Sequence, residues 1–253
     1  MSKEARIKVR ALRQVQAVAA RRRHNRMWLA GGVVIVGLLV AIVAVVVTSV
    51  SKGDSSPNSA SGQLVTPANL TDTGAIPVGQ ATGPVTLEIY LDYMCPACGM
   101  FEQANGGEID RLVKAGTVKV QLRPISFLDR ASKGSKYSTR AANAMATVAD
   151  RAPGSVWAFH RELFDRQPEE GTRGLSDDQI AELARKAGVP KDVADAFIKR
   201  AFERWVATST DAAFKSGIQG TPTIKINGMV FQGNAYTPGP LTQAIEAAAG
   251  GAK

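Results

Sequence analysis

Cys95 and Cys98 are the only cysteines in the 253-residue chain, and they stand three apart in the tetrapeptide Cys95-Pro96-Ala97-Cys98. Two thiols at this spacing can close a small disulfide ring that exchange opens and closes readily. Pro96 suits the first position of a helix, where its missing N–H costs nothing and its φ is already helical. Cys95 then sits at the helix N-terminus, where unpaired N–H groups and the helix dipole favour a thiolate. Cys98 lies one turn further in. The pattern therefore predicts Cys95 as the attacking sulfur and Cys98 as the resolving one, with Pro96 and Ala97 supporting them.

Two other uses of the pair are weighed against this one. Zinc takes about four ligands, and the only histidines are His24 and His160, so no metal site is expected. A purely structural disulfide would have the same spacing, and spacing alone does not separate it from a reactive one. His160 falls among Trp157, Phe159 and Phe164 and reads as a structural histidine. The sequence offers no nucleophile–His–acid set and no phosphate loop, and no cofactor is expected.

The elements around the pair read as an α/β domain. Val85–Asp92 is β-branched, aromatic and mostly apolar, as a buried strand would be. A helix runs from the cysteines to about Lys114 and stops at Gly116; its interior Gly106-Gly107 marks an expected kink or break. Val118–Arg123 alternates as a second strand. Residues 135–216 then follow a helical pattern: Tyr137–Asp150, Ser155–Arg166, a helix opened by the capping box at Ser176 and Gln179, and Lys191–Lys215. Phe197, Ile198, Phe202, Trp205 and Phe214 are expected in the core. After Gly220, two short strand-like runs flank Asn227-Gly228, a strong hairpin signal, and a helix over about 240–249 closes the chain.

The charge is lopsided. Residues 1–51 hold nine Lys/Arg and one acid, leaving 22 bases and 21 acids for the rest of a chain whose net charge is +9. The domain itself is nearly neutral and has no electrostatic footprint for nucleic acid. Residues 28–50 form a 23-residue run without a charge, about 34 Å as a helix and long enough to cross a membrane. It is longer than the apolar region of a cleaved signal peptide and ends without a small-x-small site, so an uncleaved anchor is expected. The basic cluster before it puts residues 1–27 in the cytoplasm and the remainder outside. Residues 51–80, rich in Ser, Gly, Pro, Thr and Asn, read as a flexible tether whose later part, around 75–78, packs on the domain. Residues 81–253 read as the folded domain.

Strand, Cys95-Pro96-Ala97-Cys98, helix, strand, helical block, and then Gly220-Thr221-Pro222-Thr223 before a β-hairpin: this order resembles the DsbA-like branch of the thioredoxin superfamily over roughly residues 80–250. The resemblance implies a thioredoxin-like fold with a helical subdomain inserted at about 130–216, preceded by one transmembrane helix. It also implies that the Thr221–Pro222 bond is cis and lies against the cysteines, with the Thr221 backbone turned toward Cys95 to pair with an extended substrate. The implied activity is extracytoplasmic thiol–disulfide exchange that introduces disulfides into secreted or cell-envelope proteins. Re-oxidation would come from a membrane partner of the DsbB or vitamin K epoxide reductase type. A reductase or isomerase running the same exchange backwards, and a non-catalytic envelope adaptor, are the alternatives.

Two positions depart from the pattern of that family. The dipeptide Pro96-Ala97 lacks the histidine of the strongest oxidants, which implies a less oxidising centre. The buried acid found in many members six residues before the first cysteine is Ile89 here. Glu88 and Asp92 are the neighbouring carboxylates. Both read at least as well as solvated strand-edge charges, and alternation turns Glu88 to the opposite face.

Overall fold

In a computed structural model, residues 64–251 are described. The expected basic tail, the apolar run over 28–50 and residues 51–63 of the tether lie outside them. Among the described residues no helix is long and apolar enough to cross a membrane.

Among the described residues, five strands and seven α-helices make an α/β fold. In chain order they are β1 (Ile76–Val78), β2 (Val85–Leu91), α1 (Pro96–Lys114), β3 (Val118–Pro124), α2 (Tyr137–Arg151), α3 (Val156–Asp165), α4 (Asp177–Lys186), α5 (Lys191–Asp195), α6 (Glu203–Lys215), β4 (Thr223–Ile226), β5 (Met229–Val230) and α7 (Pro240–Gly250). The sheet order is β1-β3-β2-β4-β5. Its centre is parallel, with Ile89 opposite Leu122, and β4 runs antiparallel to β2, with Ile89 opposite Ile224. This is the thioredoxin-like arrangement, with α2–α6 inserted between β3 and β4.

Alternation along β2 sorts its side chains between two cores. Leu87, Ile89 and Leu91 join Val120, Leu122, Phe101, Ile109 and Ile245 in the main core, on the side of α1 and α7. Tyr90 faces the other way, into a smaller cluster with Ile125, Ala213 and Ile218. Helix α2 is the hub of the insertion. Its alanines let neighbours approach closely, and every residue from Tyr137 to Ala149 except Arg140 is buried.

Several expected features are present. Ser176 and Gln179 form the reciprocal capping box of α4, and Asn227-Gly228 turns the β4–β5 hairpin with both residues at positive φ, as a type I′ turn requires.

The later part of the tether packs on the domain, as expected around 75–78: β1 pairs antiparallel with β3, and Ala75 and Ile76 are fully buried. The contact begins earlier still, where the Asn69 amide donates to the carbonyls of Ala149 and Asp150. Other expectations are corrected. Helix α1 is continuous through Gly106-Gly107. A Cβ at Gly106 would come within 2.6 Å of both Arg161 Nη1 and Glu102 Oε2, so this glycine permits a close approach and does not break the helix.

The expected helix over 191–215 is split by a 3-10 turn and by Arg200 in the left-handed region. Asn143 on α2 stabilises the interruption: its amide donates to the Phe197 carbonyl (3.1 Å) and its oxygen accepts from the Phe202 N–H (3.0 Å). Of the aromatic and aliphatic residues expected in the core there, Phe197, Phe202 and Trp205 are buried, whereas Ile198 and Phe214 are exposed.

Candidate active site

Strand β2 delivers the chain to the first turn of α1, where Cys95 is the N-cap residue with extended backbone (φ −73°, ψ 116°) and Pro96 is the first helical residue. The Cys95 carbonyl accepts from the N–H groups of Cys98 (2.9 Å) and Gly99 (3.2 Å), which closes the first turn. Both cysteines are free thiols. Cys95 retains 8% exposure against 1% for Cys98, so the first sulfur is the more open of the two, although its opening is narrow.

The electrostatics separate the pair. Cys95 is lowered from 9.0 to about 6, first by hydrogen bonding from the Cys98 side chain; burial opposes this, and the Thr221 side chain and the N–H groups of Cys98 and Ala97 add to it. Burial, reinforced by Cys95, pushes Cys98 well above its ordinary value. One sulfur is therefore a thiolate at neutral pH while its neighbour keeps its proton, the division of labour that exchange needs.

The loop before β4 reaches the same point. The Thr221–Pro222 peptide bond is cis, and the Cys95 sulfur lies 3.3 Å from the Thr221 carbonyl, to which it donates when protonated. The six positions singled out at the cysteines (Cys95, Pro96, Ala97, Cys98) and in the cis-proline loop (Thr221, Pro222) are thus brought together.

The carboxylates behave differently from their solvated reading. Asp92 is fully buried. It accepts from the Met94 N–H (2.8 Å), the Leu128 N–H (2.8 Å) and the Ser138 hydroxyl (2.7 Å), and so ties the cysteine turn to the β3–α2 loop and to α2. Burial pushes its carboxyl up to about 6, against those three donors. Glu88 is largely shielded as well, and alternation does place it on the far face. It pairs there with Arg123 (2.7 Å) and Lys225 (3.5 Å), both of which lie over the Tyr90 ring. Ile89 stays in the main core.

Gln167, Glu102 and Tyr93, which were not singled out in the sequence, complete the surroundings together with His160, read from the sequence as a structural histidine. Gln167, just past α3, donates through its amide to the carbonyls of Tyr93 (3.2 Å) and Cys95 (2.9 Å). His160 is fully buried between Glu102 Oε1 (2.7 Å from Nε2) and the Tyr93 hydroxyl (3.2 Å from Nδ1), stacked on Trp157. Glu102 lies one turn beyond Cys98 on α1, and Tyr93 lies two residues before Cys95. Spacing could have marked Glu102, four residues past Cys98, but nothing in the sequence ties Gln167 to the cysteines. Among the described residues no three His, Cys, Asp or Glu side chains converge as a metal would need.

Comparison with known proteins gives concordant results. A sequence model described as thioredoxin matches residues 71–247. The chain is 30% identical over 158 residues to disulfide bond formation protein D of Bacillus subtilis, covering 61% of this chain and 68% of that protein. Among solved structures, the reduced disulfide bond oxidoreductase DsbG of Mycobacterium tuberculosis superposes with a TM-score of 0.62 at 30% identity, over 71% of this chain and 89% of that one. Oxidised BdbD of Bacillus subtilis gives 0.61 at 27% identity, over 75% and 100%.

Proposed function

The chain belongs to the thioredoxin family, and from the geometry at its cysteines we infer a thiol–disulfide oxidoreductase that oxidises dithiols in secreted or cell-envelope proteins. It is a disulfide-exchange enzyme of the DsbA type. The observation that carries the finer reading is the asymmetry of the pair: Cys95 is the more exposed of the two and is lowered to about 6, while Cys98 is more deeply buried and raised.

With the pair oxidised, a substrate thiolate attacks Cys95 Sγ. A substrate–Cys95 bond forms, the Cys95–Cys98 bond breaks, and the Cys98 sulfur leaves with the electron pair and takes a proton. A second substrate thiolate then attacks the substrate sulfur of this mixed disulfide and expels Cys95, which remains a thiolate at neutral pH. The substrate loses two electrons and gains a disulfide; the enzyme ends as the dithiol. The Thr221 backbone beside Cys95 would align the substrate as an added strand. A membrane partner of the DsbB or vitamin K epoxide reductase type would reoxidise the pair. Residues 28–50 would anchor the domain outside the membrane, with residues 1–27 inside.

The Pro96-Ala97 dipeptide, without a histidine to stabilise the thiolate further, favours a milder oxidant and keeps the reductive direction in view. The reduction potential decides between them: about −120 to −200 mV fits an oxidase and about −270 mV a reductant. Replacing Cys98 with serine tests the exchange itself. Envelope proteins held covalently on Cys95 are expected, and their absence would favour a non-catalytic adaptor.

A further inference from the structure

A cavity of about 720 Å³ opens directly beside the cysteine turn, between α1 and the segment that follows α3. Pro96 and Gly99 line it, so an occupant would sit within one residue of Cys95. Its other wall carries Asp165, Glu169 and Glu170, all exposed, none of which forms an ion pair among the described residues. Glu102 also lines it and is only 5% exposed. Its Oε1 is taken by His160, but its Oε2 is buried with no hydrogen-bond partner. An unpartnered buried carboxylate oxygen is costly, and a cationic donor would relieve it. The one base in the lining is Arg161. It stands near Glu102 on the Gly106 side and forms no ion pair among the described residues, which leaves four carboxylates against one guanidinium. Met100, more than half exposed at the rim, offers an apolar surface for a long aliphatic stem.

We propose that this cavity binds a basic side chain, lysine or arginine, close to the reacting cysteine of the polypeptide that exchanges with Cys95. The inference rests on the disulfide-exchange reading and adds a substrate preference to it. Residues 52–253 are nearly neutral, with 22 bases against 21 acids. No long-range field of the domain favours basic peptides, so a preference for them must arise locally. A concave acidic wall of low dielectric concentrates field in this way.

The test uses the oxidised protein and three dithiol peptides identical except for arginine, glutamine or glutamate beside one cysteine. Reduction rates are measured at low and high salt, with dithiothreitol as an uncharged control. The arginine peptide is expected to react about tenfold faster than the glutamate peptide at low salt. High salt and the exposed double variant Glu169→Gln/Glu170→Gln should both shrink that ratio toward one, while the rate with dithiothreitol stays unchanged. Glu102→Gln should lower the arginine rate further. Equal peptide rates alongside normal dithiothreitol reduction would overturn the cavity proposal alone, as would a ratio that survives in the double variant. Failure of dithiothreitol to reduce the protein would overturn the exchange reading, and the cavity proposal with it.

Discussion

The Cys95 thiol lies 3.3 Å from the carbonyl oxygen of Thr221, a residue 126 positions away in the chain. This contact joins the helix that carries the thiol to the loop that would hold a substrate strand. Thr221 also lowers the Cys95 pKa through its side chain, so its backbone and its side chain act separately. Thr221→Val removes the hydroxyl and leaves the carbonyl. The ionisation midpoint of Cys95, followed by thiolate absorbance, should rise by up to about one unit. An unchanged midpoint would mean that the hydroxyl does not reach the sulfur.

Asp92 and Cys95 give the reduced protein opposite pH dependences. The folded state holds the Asp92 proton more tightly than the unfolded chain, since its pKa rises from 3.8 to about 6. Its contribution is complete below about 3.8 and is lost as pH rises through about 6. Cys95 falls from 9.0 to about 6, so its contribution is complete above about 9 and is lost as pH falls through about 6. In urea unfolding, the difference between wild type and Asp92→Asn should move against wild type by roughly 2–3 kcal/mol between pH 4 and 7. Reduced protein should gain stability over oxidised protein from pH 6 to 9. A wild-type–Asn difference independent of pH would contradict the assignment to Asp92.

Gly99 and Gln167 are predicted to be coupled. A Cβ at Gly99 would fall 2.1 Å from Gln167 Oε1, and the Gln167 amide is what clamps the Tyr93 and Cys95 carbonyls. Gly99→Ala should cost about 1–2 kcal/mol in the wild-type background. In Gln167→Ala the same change should be neutral or stabilising, because alanine exceeds glycine in helix propensity by about 1 kcal/mol. A double-mutant cycle measures this, and additive effects would show that the two residues act independently.

The Tyr93–His160–Glu102 chain predicts a graded response. Tyr93→Phe loses one hydrogen bond, about 1 kcal/mol. His160→Leu leaves the buried Glu102 carboxylate with neither oxygen partnered and should cost about 3 kcal/mol or more. Adding Glu102→Leu to it should recover part of that loss. Equal costs for the two single changes in denaturant titration would mean that the His160–Glu102 contact contributes no more than the Tyr93–His160 one.

Much of the site could be read from residue order because its parts are local. Cys95-Pro96-Ala97-Cys98 specifies a helix start by proline chemistry, and Asn227-Gly228 specifies a hairpin by backbone conformation. The contacts that escaped notice join distant segments. Asp92 looks like a strand-end charge until Leu128 and Ser138 fold over it. Arg200 interrupts a helix whose side-chain pattern continues, because Asn143, far back in the chain, satisfies the exposed backbone groups on either side. Gly106-Gly107 resembles a weak point in isolation, and Gly106 becomes a close-packing position only once Arg161 is placed beside it. Gln167 has no local pattern at all; its importance comes from which carbonyls it meets.

The most direct measurement is the pH dependence of alkylation of the reduced wild-type protein, with the modified sulfur located by mass spectrometry. Labelling should fall on Cys95, with a rate that rises through a midpoint near 6 while Cys98 stays unmodified. A midpoint near the free-thiol value of about 8.5, or faster labelling of Cys98, would contradict an activated sulfur at the helix end.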